Sequence, residues 1–195
     1  LRASFPDKND AWIEATGLRS FQQIVMLTID IFFSPRLANK DNWQDFARVH
    51  NIERVKWMIK EGKGLLMLTG HYGNFEIMGY MLAALGLDIY SIARPLDNPF
   101  ISRYLYGIRQ RTGQKIIDKK GATEEMTQLV EQGATLGFIA DQDAGKKGVF
   151  VDFFGRKASA YKSIGLLAMQ YNLPIVVGGC RRIGDDFFFE AEVQR

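Results

Sequence analysis

His71 and Glu76 are the two residues whose types and spacing best suit acid–base chemistry. They lie in the stretch LLMLTGHYGNFEIMGY, residues 65–80, where the pattern of a buried strand gives way to that of a helix. Gly73 permits a sharp turn there, and Asn74 is a good N-cap for the helix that follows. Such a loop can bring the two side chains together, so that the imidazole accepts a proton and the carboxylate fixes its tautomer. The alternative is a loop histidine followed by a first-turn carboxylate that stabilises the helix.

Three more polar residues follow predicted strands. Arg94 ends the second strand, and Asp141 and Asp143 follow the fourth. Ligands of open α/β sheets bind beyond the carboxyl ends of the strands, so these side chains are expected near His71. An ion pair between Arg94 and Asp97 is the alternative for the arginine. The two aspartates lack a third ligand at the usual spacing, so we expect them to anchor a loop or an arginine, and we expect no metal or cofactor.

Short apolar runs alternate with helical patterns from residue 62 onward, which predicts an α/β domain with a largely parallel central sheet flanked by helices. The predicted strands are 65–69, 88–93, 115–118, 135–140, 174–179 and 187–193. The predicted helices are about 75–85, 99–112, 123–132 and 160–171. We interpret residues 63–195 as this α/β core and residues 1–62 as an N-terminal helical segment of the same domain.

The N-terminal segment is predicted to form two helices. Residues 10–34 place apolar side chains near one face, and Pro35 is expected to end the helix. Packing of that face on the core is favoured over contact with a membrane surface. Residues 41–61 are predicted to form a second amphipathic helix, in which His50 is an exposed surface histidine.

Composition excludes several classes of protein. The 195 residues are 47% hydrophobic and carry a net charge of +3, which indicates a folded domain with a mild preference for acidic partners. The single cysteine, Cys180, excludes an internal disulfide framework, and its position at the end of an apolar strand favours packing over nucleophilic catalysis. No nucleic-acid-binding module is recognisable. Because the sequence begins at Leu1 and ends within a strand pattern, we expect a fragment truncated at both ends, with any membrane anchor outside it.

The segment GHYGNFE, residues 70–76, resembles the His–four residues–acid signature of the glycerolipid acyltransferase superfamily, and in detail its lipid A biosynthesis (late) acyltransferase branch. Three further blocks are similar to that branch and occur in the family's order. They are ARPLDNPF at 93–100, IADQDAGKKGVFVDFFGRKA at 139–158 and NLPIVVGGCRR at 172–182. The resemblance implies transfer of an acyl group from a carrier thioester to a hydroxyl of a lipid A precursor, with His71 as general base and Glu76 as its orienting partner.

The same resemblance implies a set of substrate-binding residues and partners. The substrate-binding set is Gly73, Asn74, Arg94, Asp141 and Asp143. The expected partners are an acyl carrier protein or acyl-CoA donor, a glycolipid acceptor and a membrane surface, without nucleic acid. The expected location is the cytoplasmic face of the bacterial inner membrane.

Several alternatives stay open at this point. The same machinery suits another glycolipid or a lysophospholipid as acceptor, and an inactive lipid- or carrier-binding protein is a further class. The apolar helix at 78–86 suits core packing or part of a hydrocarbon channel. The aromatic stretch at 149–154, flanked by basic residues, suits either lipid contact or core filling. Of Arg103, Arg109 and Arg111, at least one is expected to bind phosphate.

Overall fold

The computed structural model describes residues 1–39, 41–111, 113–118 and 121–194. The helices along this part of the chain are α1 (Asp10–Leu37), α2 (Ile52–Lys60), α3 (Phe75–Ala84), α4 (Pro99–Arg111), α5 (Ala122–Glu131) and α6 (Lys162–Tyr171). The strands are β1 (Ala47–His50), β2 (Leu65–Thr69), β3 (Ile89–Ala93), β4 (Lys115–Asp118), β5 (Thr135–Ile139), β6 (Val149–Phe153), β7 (Arg156–Ala160), β8 (Ile175–Arg182) and β9 (Phe189–Gln194). Thr112 and Arg195, at the ends of two predicted segments, lie outside the described residues.

Seven of these strands form the central sheet, in the order β1-β9-β8-β2-β5-β3-β4. All neighbouring pairs in this sheet are parallel except β8 and β9, which are antiparallel. The prediction of a largely parallel sheet flanked by helices and preceded by a helical segment is therefore confirmed. Because β2 and β5 lie side by side at the centre, the loops that follow them meet at the carboxyl edge.

Two hydrophobic clusters hold the layers together, one on each face of the sheet. One contains side chains of α2 and α3, and the other contains side chains of α5 and α6. Leu65 and Leu66 point to opposite faces of β2 and are both fully buried, which explains why this strand reads as a continuous apolar run. The helix α3 lies across the sheet close to the end of β2, so its first turn is adjacent to the His71 loop.

Helix α1 continues past Pro35, which was expected to end it. A proline lacks the amide that would bond to the carbonyl four residues earlier, here that of Ile31. The Ser34 hydroxyl donates a hydrogen bond to that same carbonyl at 3.4 Å. The local loss is thus partly compensated, and the helix runs on to Leu37 before it ends.

The apolar face of α1 points away from the core, contrary to the favoured prediction. The buried residues of this helix are the polar Asp30 and Ser34. Its exposed large apolar side chains are those of Trp12, Leu18, Phe21, Ile24, Val25, Ile29, Phe32, Phe33 and Leu37. Periodicity correctly identified a helix, but it does not distinguish an apolar face that packs on the core from one that remains open.

The prediction of one helix over 41–61 is wrong in its first half. Residues 47–50 form the edge strand β1, which pairs in parallel with β9. Ile52–Lys60 form the α-helix, and Trp43–Asp45 form a single turn of 3-10 helix before the strand. Asn51 separates the two elements in a left-handed conformation, with φ of 60°. Long-range pairing has overridden a helical pattern here, since strand formation depends on neighbours that a local window does not contain. His50 lies on β1 with its side chain exposed, as predicted, and Nε2 is 3.3 Å from Glu190.

A second, two-stranded sheet was not predicted. The strands β6 and β7 form an antiparallel hairpin, and β7 extends to Ala160, where the last predicted helix was expected to begin. All five residues of β6 are exposed, so the aromatic stretch does not fill the core. Among the described residues, none of the helices combines the length and the apolar character that crossing a bilayer requires.

Candidate active site

His71 is held by Asp141 at the carboxyl edge of the sheet. Nδ1 of the imidazole lies 2.7 Å from Oδ1 of the carboxylate. The backbone amide of His71 donates a second hydrogen bond to Oδ2, also at 2.7 Å. The edge of the Phe75 ring contacts the imidazole, with the ring centroids 4.9 Å apart. One carboxylate therefore fixes both the main chain and the ring of the histidine.

The register of the parallel strands explains this pairing. Thr69 at the end of β2 is paired with Ile139 at the end of β5. His71 and Asp141 each lie two residues beyond these partners, so the two loops bring them together. Gly70 provides the room, because a Cβ there would lie 2.9 Å from Oδ2 of Asp141. The sequence placed Asp141 at the correct edge of the sheet but could not identify its partner, because strand order is not visible in a single sequence.

The ionisation of Asp141 determines which imidazole nitrogen can act as a base. Burial acts to raise the pKa of Asp141, but the hydrogen bonds from the ring and the amide of His71 outweigh it and leave that pKa below its ordinary value of 3.8. An ionised carboxylate only accepts hydrogen bonds, so Nδ1 carries the proton and Nε2 carries the lone pair. The partly exposed ring of His71 thus offers a basic nitrogen to an approaching hydroxyl.

Glu76 does not bind His71 as predicted but pairs with Arg109. Nε of Arg109 donates to Oε2 of Glu76 at 3.0 Å, and Nη2 donates to Oε1 in a second, shorter bond. The side chains are only 14% and 20% exposed, so this two-pronged pair joins α3 and α4 away from bulk water. Burial acts to lower the pKa of Arg109, but the bonds to Glu76 overcome this effect and raise it. The guanidinium competes for the carboxylate more strongly than a neutral ring can, which explains the difference.

Asn74 and Gly73 fix the loop that carries His71. Oδ1 of Asn74 accepts a hydrogen bond from the amide of Ile77 at 3.0 Å, which confirms the predicted N-cap of α3. The backbone amide of Asn74 donates a hydrogen bond to the carbonyl of Cys180 at 2.7 Å. Gly73 has a φ of +60°, and a Cβ there would lie 1.9 Å from that carbonyl oxygen, so only glycine fits. Their observed contacts hold the loop, and their predicted contact with a substrate stays a prediction.

The remaining predicted site residues lie around the same edge. Arg94 follows β3 and forms an exposed ion pair with Asp97, with Nη2 3.1 Å from Oδ1, which is the alternative considered above. Asp143 is exposed in the loop after β5. Of the three arginines on α4, Arg109 is the one that lines the cavity beside the site. A role of Arg94 or Asp143 in substrate binding stays a prediction.

A narrow apolar cavity of about 90 Å³ runs between α3 and the central strands, and we call it the slot. Thr69, Phe75 and Glu76 line it at the end near His71, and Leu82, Leu87 and Ile89 line it farther along α3 and β3. Three glycines contribute to its width, Gly79 on α3, Gly137 on β5 and Gly178 on β8. The apolar helix at 78–86 packs in the core through Met81 and borders the slot through Gly79 and Ala83, while its part in a hydrocarbon channel stays a prediction.

Cys180 is a poor nucleophile. Burial, followed by the negative charge of Asp30, raises the pKa of the Cys180 thiol to about 12, which keeps it protonated and inert. Across the described ranges, no three His, Cys, Asp or Glu side chains converge as a metal site would need.

Residues 1–194 match the family model described as bacterial lipid A biosynthesis acyltransferase. A lipid A biosynthesis acyltransferase of Haemophilus influenzae is 26% identical over 120 residues, which are 61% of this chain and 38% of that protein. The matched part therefore spans less than two fifths of the length of this curated relative.

Proposed function

The chain belongs to the bacterial lipid A biosynthesis acyltransferase family, and we propose that it transfers a fatty acyl group from a carrier thioester to a hydroxyl of a lipid A precursor. The observation that carries this proposal is the imidazole of His71, held by Asp141 beside an apolar slot. A thioester is already activated, so the protein must chiefly deprotonate the alcohol, position both substrates and stabilise the tetrahedral intermediate.

In the proposed reaction His71 is the general base. The hydroxyl proton passes to Nε2 as the hydroxyl oxygen forms a bond to the thioester carbonyl carbon. The carbon–sulfur bond of the tetrahedral intermediate then breaks, and the departing thiolate takes the proton from the imidazolium. Asp141 stabilises the imidazolium between these steps, and this is the task that the sequence assigned to Glu76. The N-terminus of α3 lies just beyond the His71 loop and favours the developing oxyanion.

We assign the slot to part of the acyl chain, because its volume accommodates only a few methylene groups. Its lining is mainly aliphatic, and each methylene that leaves water for such a surface gains about 0.8 kcal/mol. The Glu76–Arg109 pair lies at its wall and joins the helices that bound it, so we propose that Glu76 supports catalysis through Arg109. An acyl carrier protein or coenzyme A thioester is the proposed donor, and Arg94, Asp141 and Asp143 remain the proposed substrate-binding side chains with Gly73 and Asn74.

We further propose that the open face of α1 contacts the membrane that holds the glycolipid acceptor. Its exposed apolar side chains are interspersed with Arg19 and Arg36, a pattern that suits an anionic lipid surface. Phe32 stacks on Tyr104 of α4 with ring centroids 5.3 Å apart, which continues the apolar surface onto a helix that borders the slot. The expected side is the cytoplasmic face of the bacterial inner membrane.

Mass spectrometry of membrane lipids from cells with and without the intact gene tests the proposed function. We expect one additional ester-linked acyl chain on lipid A only when the gene is present. A product acylated on a phosphatidyl sugar would instead support the alternative acceptor. Identical lipid profiles in the two strains, with the protein present at normal levels, would contradict acyl transfer.

The assignment of the slot predicts a change in chain-length preference for Gly79→Leu. A Cβ at position 79 would lie 2.9 Å from Oε1 of Gln114, which also lines the slot, so a leucine there displaces that side chain and fills part of the slot. Each methylene that it excludes forfeits about fourfold in binding. We expect the ratio of rates for long-chain and short-chain thioesters to fall about 10-fold or more, measured by competition between the two donors. Gly165→Leu is the matched control, because Gly165 is an exposed helical glycine on α6 with open space around it. An unchanged ratio of rates in a folded Gly79→Leu protein would contradict the assignment of the slot to the acyl chain.

A further inference from the structure

A buried polar cluster joins the N-terminal helix to the catalytic loop. It consists of Asp30 on α1, Asn74 before α3 and Arg182 at the end of β8. Asp30 is 2% exposed, Asn74 is fully buried, and the Arg182 side chain is 10% exposed. The mechanism above uses neither Asp30 nor Arg182, and Asp30 lies on a helix whose apolar residues face outward.

The side chain of Asn74 binds Asp30 of this cluster at one end and caps α3, next to the catalytic loop, at the other. Nδ2 donates a hydrogen bond to Oδ2 of Asp30 at 2.8 Å. Oδ1 accepts from the amide of Ile77 and so caps α3. The guanidinium of Arg182 donates to the other oxygen of Asp30. Arg182 belongs to the same strand as Cys180, and the carbonyl of Cys180 accepts a hydrogen bond from the backbone amide of Asn74.

The chemistry of Asp30 decides which way the amide of Asn74 points. The two ends of an asparagine side chain have nearly the same shape, but one end donates and the other accepts. Burial raises the pKa of Asp30, and the hydrogen bonds from Arg182 and Asn74 act against this rise. Oδ1 of Asp30 accepts from Arg182 and Oδ2 accepts from the NH₂ end of Asn74, which leaves the oxygen of Asn74 for the amide of Ile77. Without this acceptor the Asn74 side chain could turn over, and the first turn of α3 would lose its cap. His71 lies only three residues before this cap.

We propose that Asp30 is a positioning residue of the active site, which fixes the orientation of Asn74 and thereby the catalytic loop, so that α1 is part of the catalytic apparatus. This inference rests on the proposed function for its effect on rate. It also explains why α1 buries an acidic group on an otherwise open helix. A role confined to docking α1 on the core would alter stability but not the geometry of the loop.

Two double variants that differ only in the acceptor at position 30 test the proposal. Single substitution of Asp30 would leave Arg182 charged, buried and without its carboxylate, which threatens folding. We therefore compare Asp30→Leu/Arg182→Met with Asp30→Asn/Arg182→Met, since both lack the buried charges but only the second retains an oxygen for Asn74. Ser34→Ala is the control for loosening of α1, because Ser34 is buried on the same helix and bonds within it.

We expect the Leu variant to lose about 10-fold or more in kcat with KM within about twofold, since small misplacement of a catalytic group is costly. Hydrogen exchange should become faster in residues 71–77 and stay unchanged in α5. The Asn variant and Ser34→Ala should stay within about threefold of the parent in kcat. Equal kcat and equal exchange in the two double variants would overturn the proposal. A rise of exchange in α5 as large as that in residues 71–77 of the Leu variant would also overturn it. If the parent protein transfers no acyl group, the proposed function fails, while exchange, which needs no substrate, still decides the role of Asp30.

Discussion

Replacing His71 with alanine is expected to remove most of the acyl transfer activity and to leave the fold intact. The imidazole is partly exposed and lies outside the two hydrophobic clusters, so its removal opens no core cavity. A positioned general base typically contributes about 10²–10⁴ in rate. We expect a loss in that range in kcat, measured by transfer from a thioester donor to the lipid acceptor, with an unchanged melting temperature.

His50→Ala is the matched control, because His50 is the other histidine of the sequence and is exposed on the edge strand β1. It should retain the activity of the parent protein. Full transfer by His71→Ala, in a preparation free of the parent enzyme, would end the proposed mechanism.

We expect Asp141→Asn to impair mainly catalysis and Glu76→Gln to impair mainly stability, so that the two substitutions distinguish the roles of the two carboxylates. Asp141→Asn removes the charge that stabilises the imidazolium and introduces an amide that can hold the wrong tautomer, so we expect a loss of about 10²–10⁴ in kcat. Glu76→Gln leaves the His71–Asp141 contact in place but removes the carboxylate charge that faces a largely buried guanidinium. We expect it to lower the free energy of unfolding by about 1–3 kcal/mol and to reduce activity less than Asp141→Asn does.

Thermal unfolding and steady-state kinetics on the same preparations measure both effects. Glu76→Gln/Arg109→Gln removes both charges and should recover part of the stability lost in the single variant. A larger loss of kcat in Glu76→Gln than in Asp141→Asn, at unchanged stability, would return the orienting role to Glu76.

Elements whose sequence signals are local could be predicted from the sequence. The strands 65–69 and 115–118 have the predicted bounds, and α3 begins directly after its predicted cap at Asn74. The alternation of strands and helices also gave the correct class of sheet. These features depend on apolar periodicity, capping and turns within about ten residues, all of which are present in the chain itself.

Features that depend on distant partners were missed. Residues 47–50 carry a helical pattern but become a strand because β9 lies beside them. The direction in which the apolar face of α1 points depends on the docking of Asp30 against Asn74, 44 positions apart. Periodicity contains no information about either contact.

The candidate site likewise combines features that local sequence signals predict with features that depend on distant partners. The sequence identified His71 and placed Asp141 at the same edge of the sheet, because both follow strands that end in parallel. It could not reveal that β2 and β5 are neighbours, and so it gave His71 the nearest carboxylate along the chain. Nor could the sequence show which of the three arginines of α4 binds Glu76, because Glu76 lies on another helix.

A double-mutant cycle between His71 and Asp141 tests most directly whether the two side chains act as one base. Single-turnover rates of acyl transfer would be measured for the parent, His71→Ala, Asp141→Asn and the double variant. Groups that act as a unit are strongly non-additive, so we predict that the double variant is no slower than His71→Ala alone. Losses that multiply, with the double variant slower by the product of the two single effects, would contradict the account.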